Sequence, residues 1–245
     1  MIKIYGLGAV GRLMKNLFSS ALVHDPLQGL TSKEKAEIAF ICVPTPLKNN
    51  KLDCSTVEQV VNESKEDLII IRSTVMPGTC DSFGKNIVYQ PEYFGETIEH
   101  PFTNPKERPF LILGGKPENR RKAIELYQTV YNANTRIRQV TNYEAEVIKL
   151  SENRAIAFKV AQCQELYDAC EKAGVDYFTV RDAVYGDDPR MNLWWTFVYP
   201  DKRGMNSKCI PKDVFGWAAW AESLGYDPKI TKALLEKNKE WICFP

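Results

Sequence analysis

The chain has 245 residues, of which 44% are hydrophobic and 26% are charged, and its 32 basic and 31 acidic residues give a formal net charge of +1. This composition is typical of a folded globular protein and excludes a disordered or fibrous chain. No run of lysine or arginine marks a nucleic-acid or membrane-surface binder, so we expect a small-molecule substrate, with no nucleic acid and no membrane as partner.

The cysteines indicate a reducing compartment. There are seven, spread along the chain without a C-x-x-C pair, and only two histidines are present to help build a metal site. The first predicted strand begins at Ile2, which leaves no room for a leader segment, and no apolar run reaches the length of a membrane span. We expect free thiols, no bound metal and a cytoplasmic protein.

The N-terminal part alternates short β-branched runs with helical stretches. The predicted strands are Ile2–Tyr5, Ala21–His24, Ile38–Val43, Leu68–Arg72, Asn86–Tyr89, Phe110–Leu113 and Arg136–Val140, with the clearest helices at Cys54–Asn62 and Glu118–Tyr131. This order predicts an α/β fold with a Rossmann-like, doubly wound parallel sheet. Only twelve residues separate Asp25 from Ile38, enough for a turn and a short helical piece such as Ser32–Lys35, so one crossover is shortened.

A glycine-rich turn follows the first strand directly and opens a helix, which is the context that a G-x-G-x-x-G motif needs to bind a dinucleotide. Its first glycine allows the tight turn, its second lets a pyrophosphate approach, and its third lets helix and strand pack closely. Asp25 ends the second strand, where a carboxylate binds ribose hydroxyls and repels a 2′-phosphate; the alternative is a turn cap before Pro26. We expect NAD, held by Gly6, Gly8, Ala9, Val10, Gly11 and Asp25.

From Thr141 onward the pattern becomes helical. Residues Tyr143–Ala173 contain no proline or glycine and stop at Gly174, which predicts one helix about 45 Å long. Further helices are predicted at Tyr177–Tyr185, Pro211–Leu224 and Pro228–Trp241. We expect two domains, an NAD-binding domain over 1–140 and an all-helical domain over 141–245, built on a long central helix that packs on a second domain or subunit.

Cys209 is a candidate nucleophile, because it directly precedes a helix whose first turn contains a proline. A thiol there faces the positive end of the helix dipole, and the charge of Lys212 also favours the thiolate. The alternative is an ordinary buried thiol, since free cysteine is among the most buried residue types.

Further motifs follow in order: Val43-Pro44-Thr45-Pro46, Ser73-Thr74-Val75-Met76-Pro77-Gly78-Thr79, Pro91-Glu92-Tyr93-Phe94-Gly95-Glu96, Lys149 with Asn153, Asp188-Pro189-Arg190 and Cys209-Ile210-Pro211-Lys212-Asp213. Together with the glycine turn, they resemble the UDP-glucose/GDP-mannose 6-dehydrogenase family. Its members use NAD to oxidise the C6 alcohol of a sugar nucleotide to a carboxylate. In the third motif Gln90 stands where the family has asparagine.

The resemblance implies that Cys209 is the nucleophile and forms a thiohemiacetal and then a thioester. It places six further residues around the reacting carbon: Thr74, Glu92, Glu96, Lys149, Asn153 and Asp213. Lys149 and Asn153 would stabilise an oxyanion, Glu96 with Thr74 would activate water, and Asp213 would orient Lys149 or assist proton transfer.

The resemblance also implies binding contacts and a partner. Thr45, Thr74 and Lys212 would lie near the cofactor, and the sugar nucleotide would be bound by Glu92, Tyr93, Phe94, Lys149, Asn153 and Arg190. Because the arginine that matches Arg190 reaches the sugar from a partner subunit, a homodimer built on the long helix is implied. The aromatic cluster Trp194-Trp195-Phe197-Tyr199 is either core or dimer interface, or a wall that stacks on sugar.

Two departures from the family pattern weaken the transfer of function more than that of the fold. The family loop G-F-G-G-x-C has Met205, Asn206 and Ser207 here, so side chains project where backbone would approach a ligand. Family members also carry a further C-terminal α/β domain that binds the nucleotide half of the substrate, and this chain ends at Pro245, where that domain would begin. A separate chain supplying a nucleotide-binding domain is therefore a possible partner.

Two other functions remain open. The chain could be a catalytically impaired NAD-binding dimer that serves as an interaction module, as the two departures suggest. It could instead be a two-electron β-hydroxyacid-type dehydrogenase, which shares the domain plan but has no use for Cys209. Replacing Cys209 with serine would leave a β-hydroxyacid-type dehydrogenase activity intact.

Overall fold

The computed structural model describes residues 1–94, 104 and 106–242. The chain forms two compact units, Met1–Lys149 and Leu150–Pro245, and the division falls inside the long helix. The predicted α/β fold with a parallel sheet and a long helix is confirmed. The assignment of functions to the two domains stays a prediction.

The first unit is built on a parallel sheet. Its strands, in chain order, are β1 (Ile2–Tyr5), β2 (Leu22–His24), β3 (Ile38–Ile41), β4 (Leu47–Lys48), β5 (Lys51–Leu52), β6 (Leu68–Ile71), β7 (Ile87–Tyr89), β8 (Phe110–Gly114) and β9 (Arg136–Val140). Five of them form a sheet in the order β2-β1-β3-β6-β7, and β8 pairs in parallel with β9. The strand order reverses between β1 and β3, and a crevice for a ligand is expected at the carboxyl ends of such strands.

Helices cover both faces of this sheet, as the unbroken apolar runs of β3 and β6 require. They are α1 (Ala9–Leu17), α2 (Ser55–Glu63), α3 (Thr79–Ser82), α4 (Pro117–Tyr127) and the start of α5 (Asn142–Ala173). One core cluster joins Met14 of α1 and Tyr127 of α4 to Phe40 of β3. The other joins Val57 of α2 and Ala145 of α5 to further strand residues.

The shortened crossover between β2 and β3 contains a 3-10 turn at Pro26–Gln28, and the predicted helical piece at Ser32–Lys35 does not form. Polar groups fill the space beneath it. The buried ammonium of Lys3 donates to the carbonyl oxygen of Glu34 at 2.8 Å and lies 3.6 Å from the buried carboxylate of Glu66. The buried Lys3 of β1 thus holds the segment between β2 and β3 through the backbone of Glu34.

The second unit is helical. Beyond the continuation of α5 it contains α6 (Tyr177–Arg181), a π-helical turn at Asp182–Asp187, α7 (Ile210–Ser223) and α8 (Lys229–Ile242). One apolar cluster packs α5, α7 and α8 together through Ala157, Val214 and Leu234. The three predicted helices after α5 are present, except that the first of them changes to the π-helical turn after Arg181.

Candidate active site

The glycine turn after β1 has the geometry of a dinucleotide cradle. Gly6 has φ of +85°, and a Cβ there would lie 2.9 Å from the carbonyl oxygen of Cys42. A Cβ on Gly11 would collide with the carbonyl oxygen of Gly6, whereas a Cβ on Gly8 would meet no atom within 4 Å. The turn is therefore closed around Gly6 and Gly11 and open at Gly8, where a pyrophosphate needs to approach the backbone. Ala9 and Val10 form the first turn of α1.

Asp25 lies beside this turn. Its carboxylate accepts hydrogen bonds from the backbone N–H of Leu7 at 2.7 Å and from the side-chain amide of Gln28 at 2.8 Å. The bond from Leu7 lowers the pKa of Asp25 below its ordinary value, so the group is ionised at neutral pH. A negative charge at the end of β2 suits a ribose diol and disfavours a phosphorylated ribose.

Two loops at the carboxyl edge of the sheet are bonded to each other. The hydroxyl of Thr45, after β3, donates to the carbonyl oxygen of Thr74, after β6, at 2.6 Å. Ser73 donates back to the carbonyl oxygen of Val43 at 2.6 Å. The structure thus brings the two predicted cofactor threonines together beside the switch point.

Glu92 is enclosed by donors. Its carboxylate bonds to the guanidinium of Arg72, to that of Arg108 at 2.6 Å, and to the backbone N–H groups of Tyr93 and Phe94 at 2.7 and 2.6 Å. Burial alone would raise the pKa of Glu92, but the two arginines and the backbone N–H groups outweigh it and hold the pKa below the ordinary value. The sequence reasoning missed both arginines, although Arg72 directly follows a buried strand.

The residues next to Glu92 meet the long helix. Lys149 of α5 is only 7% exposed, and its ammonium lies 5.1 Å from the ring centre of Tyr93. The ring of Phe94 lies 5.9 Å from the guanidinium of Arg108. Lys149 is therefore a buried residue of the first unit rather than a solvated helix position. Glu96, in the same predicted motif, lies outside the described residues.

In the second unit, Asp213 is the centre of a buried polar group. It is 1% exposed and accepts from the side-chain amide of Asn153 at 2.5 Å and from the ammonium of Lys212 at 2.6 Å. Lys212 therefore forms an ion pair with Asp213, which reduces the effect that its charge was expected to have on the thiol of Cys209. This pairing was not foreseen from the sequence, where Asp213 was expected to orient Lys149 or to assist proton transfer.

Cys209 occupies the N-cap position of α7, with a proline in the first turn of that helix. It is exposed, so the alternative of an ordinary buried thiol is wrong. The other cysteines in the described part of the chain are less accessible. Burial raises the pKa of Cys42 to about 12 and holds that of Cys80 well above its ordinary value, so neither thiol ionises readily at neutral pH.

The loop before Cys209 is held in place by the side chains of Met205 and Asn238. Met205 is 4% exposed and packs into the core of the second unit, and Asn238 of α8 bonds to both its N–H and its carbonyl oxygen. The expectation that its side chain projects toward a ligand is therefore wrong for Met205. Asn206 and Ser207 are exposed, and the Ser207 hydroxyl accepts the N–H of Ile210 at 3.2 Å.

Arg190, one of the predicted substrate residues, lies at the protein surface. Its side chain is 84% exposed and forms a two-pronged ion pair with Asp188, with the shortest distance at 2.6 Å. These bonds join it to Asp188, which is not one of the predicted site residues. A role at the sugar depends on the proposed partner subunit.

Among the described residues, no group of three or more His, Cys, Asp or Glu side chains is placed to hold a metal ion. In the same part of the chain, no helix has the combined length and apolar character needed to cross a membrane.

The chain matches two models of one protein family. Residues 11–133 match the NAD binding domain of the UDP-glucose/GDP-mannose dehydrogenase family, and residues 143–240 match its central domain. The expectation of NAD as cofactor is confirmed by the first match and by the cradle around Gly6, Gly8 and Gly11.

Named relatives and solved structures agree with these matches. A UDP-glucose 6-dehydrogenase of Rickettsia bellii is 28% identical over 244 residues, covering 91% of this chain and 55% of the relative. That of Rickettsia typhi is 30% identical over 226 residues, covering 83% of this chain and 49% of the relative. The chain thus spans about half the length of the curated relatives it matches.

The fold matches a solved UDP-glucose dehydrogenase from Pyrobaculum islandicum, with a TM-score of 0.81 and 21% identity over 98% of this chain and 68% of that one. The two family matches cover both units, and the motifs predicted from the sequence lie inside them or in the adjoining glycine turn. The chain therefore belongs to the UDP-glucose/GDP-mannose dehydrogenase family.

Proposed function

We propose that this chain is an NAD-dependent dehydrogenase that oxidises the C6 alcohol of a sugar nucleotide to a carboxylate, with Cys209 as the nucleophile. The observation that carries the proposal is the placement of Cys209: an exposed thiol at the N-cap of α7, one turn before a buried carboxylate that holds Asn153. Family membership supplies the reaction class.

The glycine cradle and Asp25 would hold the cofactor, with Thr45 and Thr74 beside its other half. When bound, NAD supplies the acceptor for the hydrides that leave the alcohol and the later adduct. Cys209 adds as thiolate to the aldehyde carbon, which prevents escape or hydration of the aldehyde and gives a thiohemiacetal. Oxidation of that adduct gives a thioester, which water hydrolyses to the acid and the free thiol.

The polar residues of α5 and α7 would support the charge that develops on oxygen. The hydrogen bond from the Asn153 amide to Asp213 orients that side chain, and we expect the oriented amide to stabilise an oxyanion. Lys149 would add a positive charge. Thr74 with Glu96 would place the hydrolytic water.

Glu92 differs from these residues. Two guanidinium groups and two backbone N–H groups already occupy its carboxylate, which favours a role in holding Tyr93 and Phe94 toward the substrate over a role as proton acceptor.

We further propose that the protein acts as a homodimer, to which Arg190 contributes across subunits. Exposed apolar side chains between residues 191 and 199 support this: Met191, Leu193, Trp194, Phe197 and Tyr199 are each 48–55% exposed. This favours an interface over core for the aromatic cluster. A separate chain that supplies a nucleotide-binding domain, and a cytoplasmic location, stay predictions of the sequence.

Formation of NADH tests the proposal. The purified protein is given NAD with a panel of UDP- and GDP-sugars, and absorbance at 340 nm is followed. We expect NADH with at least one member of the panel. Tight NAD binding without NADH from any sugar nucleotide would instead support the impaired NAD-binding module.

Thiol labelling separates these two functions without turnover. We expect Cys209 to react selectively with iodoacetamide and to be protected by NAD with a sugar nucleotide, because Cys42 and Cys80 are buried with raised pKa values. Mass spectrometry of peptides after partial labelling gives the site. Labelling spread evenly over the cysteines, or not altered by ligands, would contradict an active site at Cys209.

A further inference from the structure

A buried carboxylate of α5 fastens the loop that carries Thr74. Glu146 is 0% exposed, and its two oxygens accept from different backbone N–H groups: one from Gly78 at 2.5 Å, the other from Cys80 at 2.8 Å. These groups belong to the start of α3, whose N–H groups are otherwise without helical partners. Each oxygen of Glu146 thus accepts one hydrogen bond from the backbone.

The fastened segment is short and tight. Gly78 has φ of +94°, and the ring of Tyr143, also on α5, lies 3.9 Å from where a Cβ would stand. Between Thr74 and Gly78 the side chain of Val75 is fully buried, and the hydroxyl of Thr79 bonds to the carbonyl oxygen of Met76 at 2.6 Å. A shift of the α3 start is therefore passed on to Thr74, whose carbonyl oxygen also holds Thr45.

The position of Thr74 in the sheet determines which half of a dinucleotide this loop meets. In the order β2-β1-β3-β6, Asp25 follows β2, the glycine turn follows β1, Thr45 follows β3 and Thr74 follows β6. Three strand spacings separate the ends of this row, about 14 Å. A dinucleotide laid across the switch point with its adenosine ribose at Asp25 and its pyrophosphate at the glycine turn places its second nucleotide at the two threonines.

We propose that Glu146 is a positioning residue of the cofactor site: by holding the Gly78–Cys80 backbone it fixes the Thr74 loop, and so it determines affinity for the nicotinamide half of NAD but not for the adenine half. This rests on the proposed NAD-dependent function. No contact between Glu146 and the cofactor is involved. Burial disfavours the charged form of Glu146 and so raises its pKa. The two backbone hydrogen bonds act in the opposite direction and offset part of this effect.

The test is Glu146→Gln, with binding of NAD and of ADP measured by calorimetry on the full chain. The amide of glutamine keeps one acceptor and turns a donor toward the other N–H, so one bond is lost. We expect the Kd for NAD to rise about tenfold, the equivalent of one lost hydrogen bond, and the Kd for ADP to stay unchanged. Glu144→Gln, an exposed position on the same turn whose amide can still cap Thr141, should change neither value.

An equal loss of NAD and ADP binding in Glu146→Gln would overturn the proposal, because it would show a general effect on folding; so would unchanged binding of both. If Glu146→Gln does not fold, Glu146→Asp is used instead, because it keeps the charge but withdraws both oxygens from the loop. It must then show a raised Kd for NAD and an unchanged Kd for ADP. Wild-type protein that binds NAD but forms no NADH would refute only the proposed turnover. Wild-type protein that binds ADP but not NAD would refute the proposed role of Glu146.

Discussion

The charged carboxylate of Glu92 is buried, and two arginines offset the free-energy cost of removing it from water. Its side chain is 10% exposed, those of Arg72 and Arg108 are 3% and 6% exposed, and two guanidinium groups share one carboxylate. Such a group is stable only while every member is paired, since removal of one partner leaves uncompensated charge away from water. The arrangement joins the loop after β6 to the segment after β7.

We predict that Glu92→Gln lowers the free energy of unfolding by about 3–5 kcal/mol at pH 7, as expected for a broken buried pair. Because the folded pKa of Glu92 lies below its unfolded value, its contribution is present above the unfolded pKa, near 4.3, and is lost as pH falls through the folded pKa. Urea unfolding at pH 7, 4 and 3 checks this.

The matched control is Glu125→Gln, an exposed position on α4 that should change the free energy of unfolding by less than about 0.5 kcal/mol. If the difference in free energy of unfolding between wild type and Glu92→Gln stays constant from pH 7 to pH 3, the carboxylate of Glu92 is not ionised in the native state. That result would contradict its ion pairs with the two arginines.

Local sequence context could predict the position of Cys209 but not the partners of its neighbours. A proline near a helix start and the glycine at 204 mark the boundary of α7, so the N-cap position follows from nearby residues. The bond from Asn153 to Asp213 joins residues 60 positions apart. Those from Arg72 and Arg108 to Glu92 span 20 and 16 positions. No local pattern specifies such pairs.

At the scale of elements, the glycine turn offers two substitutions that separate stability from binding. We predict that Gly11→Ala destabilises the protein by about 2 kcal/mol or more, because its Cβ would collide with the carbonyl oxygen of Gly6 and push α1 off β1. Gly8→Ala should leave the melting temperature nearly unchanged, since its Cβ meets no protein atom within 4 Å, yet it should weaken NAD binding by tenfold or more by occupying the place of the pyrophosphate.

Thermal unfolding and NAD calorimetry on the two variants check this pair. NAD binding by Gly8→Ala with wild-type affinity would mean that the cofactor does not approach the turn at Gly8, and the cradle would then be wrongly assigned.

The elements were predictable where one pattern dominates. The runs at β3 and β6 are apolar without alternation, and α5 begins one residue before its predicted start and ends at its predicted end, ahead of Gly174. The hairpin of β4 and β5 was missed, because two-residue strands carry no periodic signal; its turn depends on Asn49 and Asn50 at φ of 52° and 60°. The π-helical turn after α6 was also missed, because the sequence there was interpreted as one continuous helix.

At the scale of the whole molecule, the chain contains the two domains that the family matches describe. It spans about half of its curated relatives, and both of its units match the family, so the cradle and Cys209 are retained. Binding energy far from the reacting carbon helps to position that carbon, so contacts to the nucleotide half of the substrate are expected to affect turnover as well as affinity.

If the protein is a dimer, a single substitution at the interface should lower the mass of the assembly in solution. We expect a dimer by light scattering at micromolar concentration, and we expect Phe197→Asp to shift it toward monomer by placing a charge among exposed aromatic side chains. Leu27→Asp is the control, since Leu27 is 96% exposed in the first unit and lies away from that segment in sequence. A monomeric wild type would remove the proposed role of Arg190 in a partner's site.

The most direct test of catalysis through Cys209 is the number of NADH molecules formed per sugar nucleotide consumed, for wild type and for Cys209→Ser. We predict two for wild type, because the thiohemiacetal on Cys209 makes the second oxidation possible, and no more than one for the serine variant, with aldehyde as product. One NADH per substrate in wild type, or two in Cys209→Ser, would contradict catalysis through Cys209.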